Sequence, residues 1–210
     1  WDVTHTTHLD GVIYVAPQAL SLMLQASGPV ESASLNTTLT ADNVVPFVTN
    51  KAYFRFGDSF TRAAELKQAL GTAAQDVWNH FLEAAPPREA LDALAGAASA
   101  GYIVLHAVDP KVQSAFETAG IAALWRDEGG DFFGTSINNA AGTKIDYYMR
   151  RQLVYRVALE PDGSAHADAQ VVLANEAPAD AQEGYVFGPY PMGPGAVDLE
   201  PGENDSILST

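Results

Sequence analysis

From Lys144 to Leu159 apolar and polar residues alternate with period two, and no other stretch limits the fold as tightly. Ile145, Tyr147, Met149, Leu153, Tyr155, Val157 and Leu159 fall on one side of an extended chain. Asp146, Arg150, Gln152 and Arg156 fall on the other. Pro161-Asp162-Gly163 follows, a turn in which proline presets φ and glycine accepts a positive φ. Ala165 to Ala174 then alternates again. The pattern predicts a long antiparallel hairpin whose apolar side faces the helices.

The earlier part of the chain mixes strand and helix signals. Gly11 to Val15 is a β-branched run that predicts a strand buried on both faces. Pro17 suits a first helical turn, and Leu20, Leu22, Met23 and Leu24 follow before Gly28-Pro29 stops the helix. Val30 to Leu35 reads as an edge strand, and Thr40 as the N-cap of the next helix. Between Ser59 and Ala84, residues Leu66, Leu70, Ala74, Val77, Trp78, Phe81 and Leu82 recur at helical spacing. Pro86-Pro87 separates that helix from another over Arg88 to Ala98. Tyr102 to Val108 predicts a second buried strand, and Asp109-Pro110 opens a short helix through Phe116 closed by Gly120. Beyond Ala177 the chain is rich in proline, glycine and acid, with one last short strand at Tyr185-Val186-Phe187 and a frayed tail from Gly202 to Thr210. The fold class is therefore α+β: a mixed strand-helix layer over residues 1–125, followed by an antiparallel hairpin-rich β part over 126–210 that ends in a Pro/Gly-rich tail.

Eleven basic against 26 acidic side chains give a formal charge of -15. Such a field repels a phosphate backbone and an anionic bilayer surface, which excludes a nucleic-acid partner and adsorption to such a membrane. At 47% hydrophobic residues the chain has enough apolar surface to build a core. It holds no cysteine, so disulfides, thiolate metal sites and a cysteine nucleophile are excluded. No apolar run is long enough to span a membrane, and no signal-peptide pattern is present. The chain opens on Trp1-Asp2-Val3 without an initiator methionine, and so reads as a piece of a longer protein.

Few side chains suggest chemistry. His5 and His8 lack a third ligand at metal spacing and read as solvated. His106, inside an apolar run, reads as a satisfied core histidine, while His80 and His166 fall on polar faces. Two basic groups stand out in so acidic a chain. Lys51, Arg55, Arg62 and Lys67 surround Asp58 and are interleaved with Tyr53, Phe54 and Phe56. Lys144, Arg150, Arg151 and Arg156 lie with Asp146 on the hairpin strand. Each group has two readings. Arg55, Asp58, Arg62, Lys144 and Arg150 are anion-binding candidates, with the guanidinium forks as donors. Alternatively the first group pairs with Asp58 and Glu65, and the second guards a sheet edge. No residue is assigned a catalytic or metal-binding role.

Several stretches resemble a bacterial family catalogued as domain of unknown function 4012. They are Leu9-Asp10-Gly11-Val12-Ile13, Pro17-Gln18-Ala19-Leu20, Ala26-Ser27-Gly28-Pro29-Val30 and Leu39 to Val44. Asp109-Pro110 with Gln113, Asn138-Asn139, Lys144 to Tyr148 and Arg150-Arg151 continue the likeness toward Asn175. The resemblance implies an extracytoplasmic cell-envelope domain, anchored to the membrane by a segment upstream of Trp1, that binds or scaffolds. The alanine-rich, lysine-poor composition resembles that of high-GC actinobacteria. Leu39-Thr40-Ala41, Gly57-Asp58 and Arg62 are more distantly similar to the LytR-CpsA-Psr glycopolymer transferases. That likeness implies an alternative role as a phosphotransferase on lipid-linked phosphosugars, with magnesium as cofactor. In that group arginines stand where this chain has Thr49, Lys51 and Glu65. A structural spacer is the third reading.

Overall fold

The computed structural model describes residues 8–122, 133–189 and 198–209. Those within Trp1–Ala52 and Ala64–Phe132 form one compact unit, and those within Tyr53–Ala63 and Phe133–Thr210 form a second. The sequence reading divides the chain once, near residue 125; in the fold the 53–63 segment leaves the first unit to join the second. His5 lies outside the described residues.

In the first unit, strand β1 (Gly11–Val15) leads into helix α1 (Pro17–Ser27), which starts on Pro17 and ends at Gly28 with φ of 83°. Strands β2 (Val30–Ser32) and β3 (Thr37–Leu39) pair antiparallel. Thr40 then closes a reciprocal cap: its Oγ1 accepts the Asn43 N–H at 3.2 Å, and its own N–H is donated to Asn43 Oδ1 at 2.9 Å. Short helices α2 (Val44–Pro46) and α3 (Ala52–Arg55) flank a π-helical turn at Phe47–Lys51. Helix α4 (Ala63–Ala84) buries Leu66, Ala73, Val77 and Phe81 along one stripe. Trp78 and Leu82, from the same expected stripe, stay 38% and 62% exposed. Helix α5 (Pro87–Ser99) lies against α1. Each large apolar side chain buried here contributes about 1.5–3 kcal/mol.

Strand β4 (Ile103–Ala107) pairs antiparallel with β1, Ile13 opposite Leu105. Helix α6 (Pro110–Thr118) follows, its first turn capped by Asp109 Oδ1, which accepts from Lys111 and Val112 N–H. The chain then returns beside β4, where the Leu105 N–H meets the Ile121 carbonyl at 2.9 Å. The expectation that β1 is buried on both faces is wrong: Val12, Ile13 and Tyr14 are more than half exposed. Its composition suits a central strand, but among the described residues it has a strand neighbour, β4, on one side only. His106 is likewise exposed, not a core residue, because it shares the open face of Val12 and Tyr14.

In the second unit, strands β6 (Met149–Leu159) and β7 (Ala165–Asn175) form the predicted hairpin, in register from Met149–Asn175 to Leu159–Ala165. The turn forms as its residues demand, with Gly163 at φ 85° and Asp162 Oδ1 accepting the Ser164 N–H. The strand begins later than the alternation suggests. Ile145–Tyr148 is a 3₁₀ turn, which brings residues three apart onto one side. Ile145 is thereby fully buried, and Tyr148 packs on Phe187 at 5.1 Å. The apolar face of β6 is not covered: Leu153, Val157 and Leu159 remain exposed, and the Phe133 ring stacks on Tyr155.

Two further expectations are corrected. The tail does not fray, for β8 (Ser206–Ser209) pairs antiparallel with β5 (Ser136–Asn139). Tyr185–Phe187 is not a strand but a buried turn, closed where Gly184 and Gly188 exchange N–H to carbonyl bonds at 3.2 and 2.8 Å. Among the described residues no helix is long and apolar enough to cross a membrane.

Gly11 is required by its surroundings, since a Cβ there would sit 2.5 Å from the His106 carbonyl oxygen. Gly11→Ala is expected to destabilise the first unit by about 1–3 kcal/mol. Thermal unfolding followed by circular dichroism checks this; an unchanged melting curve contradicts the close β1–β4 approach.

Candidate functional site

All five residues singled out in the sequence lie in the second unit. The local chain explains how one of them is presented. Helix α3 ends with consecutive left-handed residues, Gly57 at φ 89° and Asp58 at φ 42°. Gly57 accepts this without cost, and Asp is among the few L residues that tolerate it. The Gly57 and Asp58 N–H groups return to the Phe54 and Tyr53 carbonyls at 2.9 and 2.8 Å, completing the helix end. The reversal sends the Asp58 side chain toward the buried 184–188 turn. Its Oδ1 accepts the Val186 N–H at 2.7 Å, and its carbonyl accepts the Tyr185 N–H at 3.2 Å.

Gly184 makes this approach possible. A Cβ at that position would lie 2.6 Å from the Asp58 carboxyl carbon and 3.0 Å from its carbonyl oxygen. Burial pushes the Asp58 carboxyl above the usual carboxylate range, against the lowering effect of the Val186 and Tyr185 N–H groups. Tyr53 is also raised, first by burial and then by the neighbouring Tyr185.

Lys144 meets the same turn. Its N–H is shared between the Tyr185 and Val186 carbonyls at 3.2 Å. Its Nζ lies 5.9 Å from the Tyr53 ring centre and 5.7 Å from that of Tyr185. An ammonium over two rings gains from both quadrupoles. Phe60 completes the aromatic group, edge-on to Tyr185 at 5.3 Å.

The arginines are placed differently. Arg62 is exposed and folds back on its own loop, donating to the Phe56 carbonyl at 3.1 Å with its guanidinium 5.6 Å from the Phe56 ring centre. Arg55 is exposed at the end of α3. Arg150 sits on β6, with Nε 3.0 Å from Glu176 and Nη1 donating to the Tyr147 carbonyl at 3.1 Å. That ion pair is exposed on both sides, so it adds little stability. Asp58 and Lys144 thus converge on residues 185–186, whereas Arg150 is engaged with Glu176.

Beside Asp58 lies an open cleft of about 270 Å³, lined by Asp58, Ser59, Phe60, Thr61, Glu183 and Gly184. Ser59 caps the turn that leads into α4, its Oγ accepting the Thr61 N–H at 3.3 Å, and the two hydroxyls bond at 2.8 Å. The cleft therefore offers two carboxyl groups, two hydroxyls and one aromatic ring. Among the described residues no three His, Asp or Glu side chains are grouped to hold a metal ion. Sequence reasoning missed Phe60, Glu183 and Gly184. The signal available was the spaced pair of glycines around Tyr185-Val186-Phe187, which marks a tight turn as readily as a strand.

A family model described as "Protein of unknown function (DUF4012)" matches residues 1–53, which supports the first resemblance over that span. No curated protein and no solved structure matches the chain.

Two outcomes are expected. Gly184→Ala forces the Asp58 side chain away and destabilises the second unit by about 1–3 kcal/mol, measurable by chemical denaturation. Because burial raises Asp58, the folded chain holds its proton more tightly than the unfolded chain. That contribution is complete below the ordinary carboxylate value and is lost as pH rises through the raised one. Asp58→Asn keeps an acceptor for Val186 but does not titrate. The melting temperature of the wild type minus that of Asp58→Asn is therefore expected to fall from about pH 3 to pH 7. A difference that grows with pH contradicts the assignment.

Proposed function

We propose that this chain is an extracytoplasmic domain of the bacterial cell envelope that binds a hydroxyl-rich glycopolymer at the Asp58 cleft. The composition of that cleft carries the reading. Phe60 offers an apolar face to the C–H side of a sugar ring, Asp58 and Glu183 accept from its hydroxyls, and Ser59 and Thr61 donate and accept. The bonds that Asp58 makes to Val186 and Tyr185 hold the cleft wall in place before a ligand arrives, which lowers the cost of ordering.

Charge favours a neutral or amino-sugar stretch of such a polymer over a phosphosugar. Two carboxyl groups line the cleft, and the chain carries a net charge of -15. The basic residues that a pyrophosphate cradle calls for have other engagements, Arg62 with Phe56 and Arg150 with Glu176. The envelope location and the upstream anchor belong to this proposal and rest on the resemblance read in the sequence from about Asp10 to Asn175; the family model itself matches residues 1–53 and is described only as of unknown function.

The test is a titration of the 210-residue chain, followed by amide chemical shifts. Neutral cell-wall oligosaccharides are one ligand, and pyrophosphate with and without magnesium is the other. Saturable shifts at Phe60, Glu183 and Gly184 with the oligosaccharide are expected. Affinity is expected to fall roughly tenfold in Phe60→Ala, the loss of one well-packed ring contact. Saturation by pyrophosphate with no response to oligosaccharide would overturn the reading. Location is tested separately: the native protein is expected in the membrane fraction, with its bulk cleaved by protease added outside intact cells.

A further inference from the structure

The Asp58 cleft is an aromatic-walled cavity whose negative charge nothing beside it neutralises. Its two carboxyl groups reach it from separate parts of the second unit, Asp58 from the turn beyond α3 and Glu183 from the residue before Gly184. Among the described residues no lysine or arginine lines the cleft, and neither carboxyl group has an ion pair. Arg62 donates to the Phe56 carbonyl, and Lys144 lies over the Tyr53 and Tyr185 rings.

The other groups of the cleft narrow what that charge is for. Asp58 Oδ1 holds the Val186 N–H, whereas Oδ2 stands against Gly184, where a Cβ would collide with it. Among the described residues Oδ2 accepts no hydrogen bond, so one oxygen positions the carboxyl group and the other is left for a donor. The Ser59 and Thr61 oxygens share one hydroxyl proton at 2.8 Å, which leaves the second proton without an acceptor among the described residues. The Phe60 ring lies beside them, held by its edge contact with Tyr185. An inorganic cation would meet the carboxyl groups and leave the ring and hydroxyls unmatched. A neutral sugar would match the ring and hydroxyls and leave two like charges uncompensated. A sugar with a free amine matches all three, with a C–H face for the ring, hydroxyls for Ser59 and Thr61, and an ammonium for the carboxyl groups.

We propose that the Asp58 cleft selects a sugar residue bearing a free, protonated amine, whose ammonium donates to the Asp58 and Glu183 carboxyl groups while its ring lies on Phe60. The inference rests on the glycopolymer reading given above and adds to it the charge of the sugar. An acetyl group on that nitrogen removes the positive charge and two of its three donors. The cleft therefore distinguishes a de-acetylated stretch of polymer from an acetylated one, and the charge of -15 on the chain favours approach of the former.

The test is a titration of the 210-residue chain, followed by amide chemical shifts, with a matched pair of ligands. One is a β-linked trimer of glucosamine with free amines, and the other is its fully N-acetylated counterpart. Spermidine, a trivalent amine with neither ring nor hydroxyls, controls for attraction by net charge alone. The glucosamine trimer is expected to bind roughly tenfold more tightly than its counterpart, with shifts at Phe60, Glu183 and Gly184 and a gap that narrows as salt is added. Glu183→Gln is expected to lower the ratio of the two affinities severalfold. Glu160→Gln, which removes the same charge at the far end of the β6–β7 hairpin, is expected to leave the ratio as it is. Glu183 is exposed and has no hydrogen bond or ion pair among the described residues, so its variant folds, which circular dichroism checks. Equal affinity for the two trimers overturns the inference and leaves the glycopolymer reading standing, whereas binding of neither overturns both. Spermidine that binds as tightly as the glucosamine trimer at the same amides also overturns it. So does a ratio that falls equally in Glu183→Gln and Glu160→Gln, since the field of the whole chain would then account for the preference.

Discussion

One hydrogen bond, donated by the Val186 N–H to the Asp58 carboxyl, organises the second unit. It joins an eleven-residue excursion at Tyr53–Ala63 to a turn far along the chain, and the aromatic rings pack around that junction. Tyr53 and Phe60 meet Tyr185, and Phe54 meets Phe187 at 5.8 Å. Rings supply the area that this unit otherwise lacks, since its long hairpin buries little. The bond also fixes the wall of the cleft beside Asp58.

The fold was legible where the signal is local. The hairpin followed from alternation on both sides of Pro161-Asp162-Gly163, because side-chain period and turn chemistry together determine register. The helices opened by Pro17 and by Asp109-Pro110 followed from backbone donors left unpaired at helix ends, where a proline costs nothing. Pairings distant in sequence were not legible. Nothing in Ser206–Ser209 names Ser136–Asn139 as its partner, so the tail read as loose. Gly11–Val15 has the composition of a covered strand, but composition does not report how many neighbours a strand has.

The candidate site divides in the same way. Asp58 stood out because an acid lay among basic residues in an acidic chain, yet its role as acceptor for backbone amides depends on a turn that the sequence offered as a strand. Lys144 was picked for its charge and proves to sit over two tyrosine rings, a contact that no spacing rule encodes. Arg150 was picked for the same reason and is engaged with Glu176. Charge patterning thus found residues that matter to the second unit without indicating what each one faces.

The separation of Asp58 from Val186, 128 positions apart, has a consequence for how the chain is made. A ribosome adds about 5–20 residues per second, so on the order of ten seconds pass between the two residues. Once Phe132 has been added, the segment around Asp58 is tethered at both ends to a unit whose own elements already exist, while its partner has still not been synthesised. The first unit must therefore tolerate a loop carrying Tyr53, Phe54, Phe56 and Phe60 with nothing yet to pack against. Whatever shields those rings during synthesis acts on a nascent state that the finished fold no longer displays.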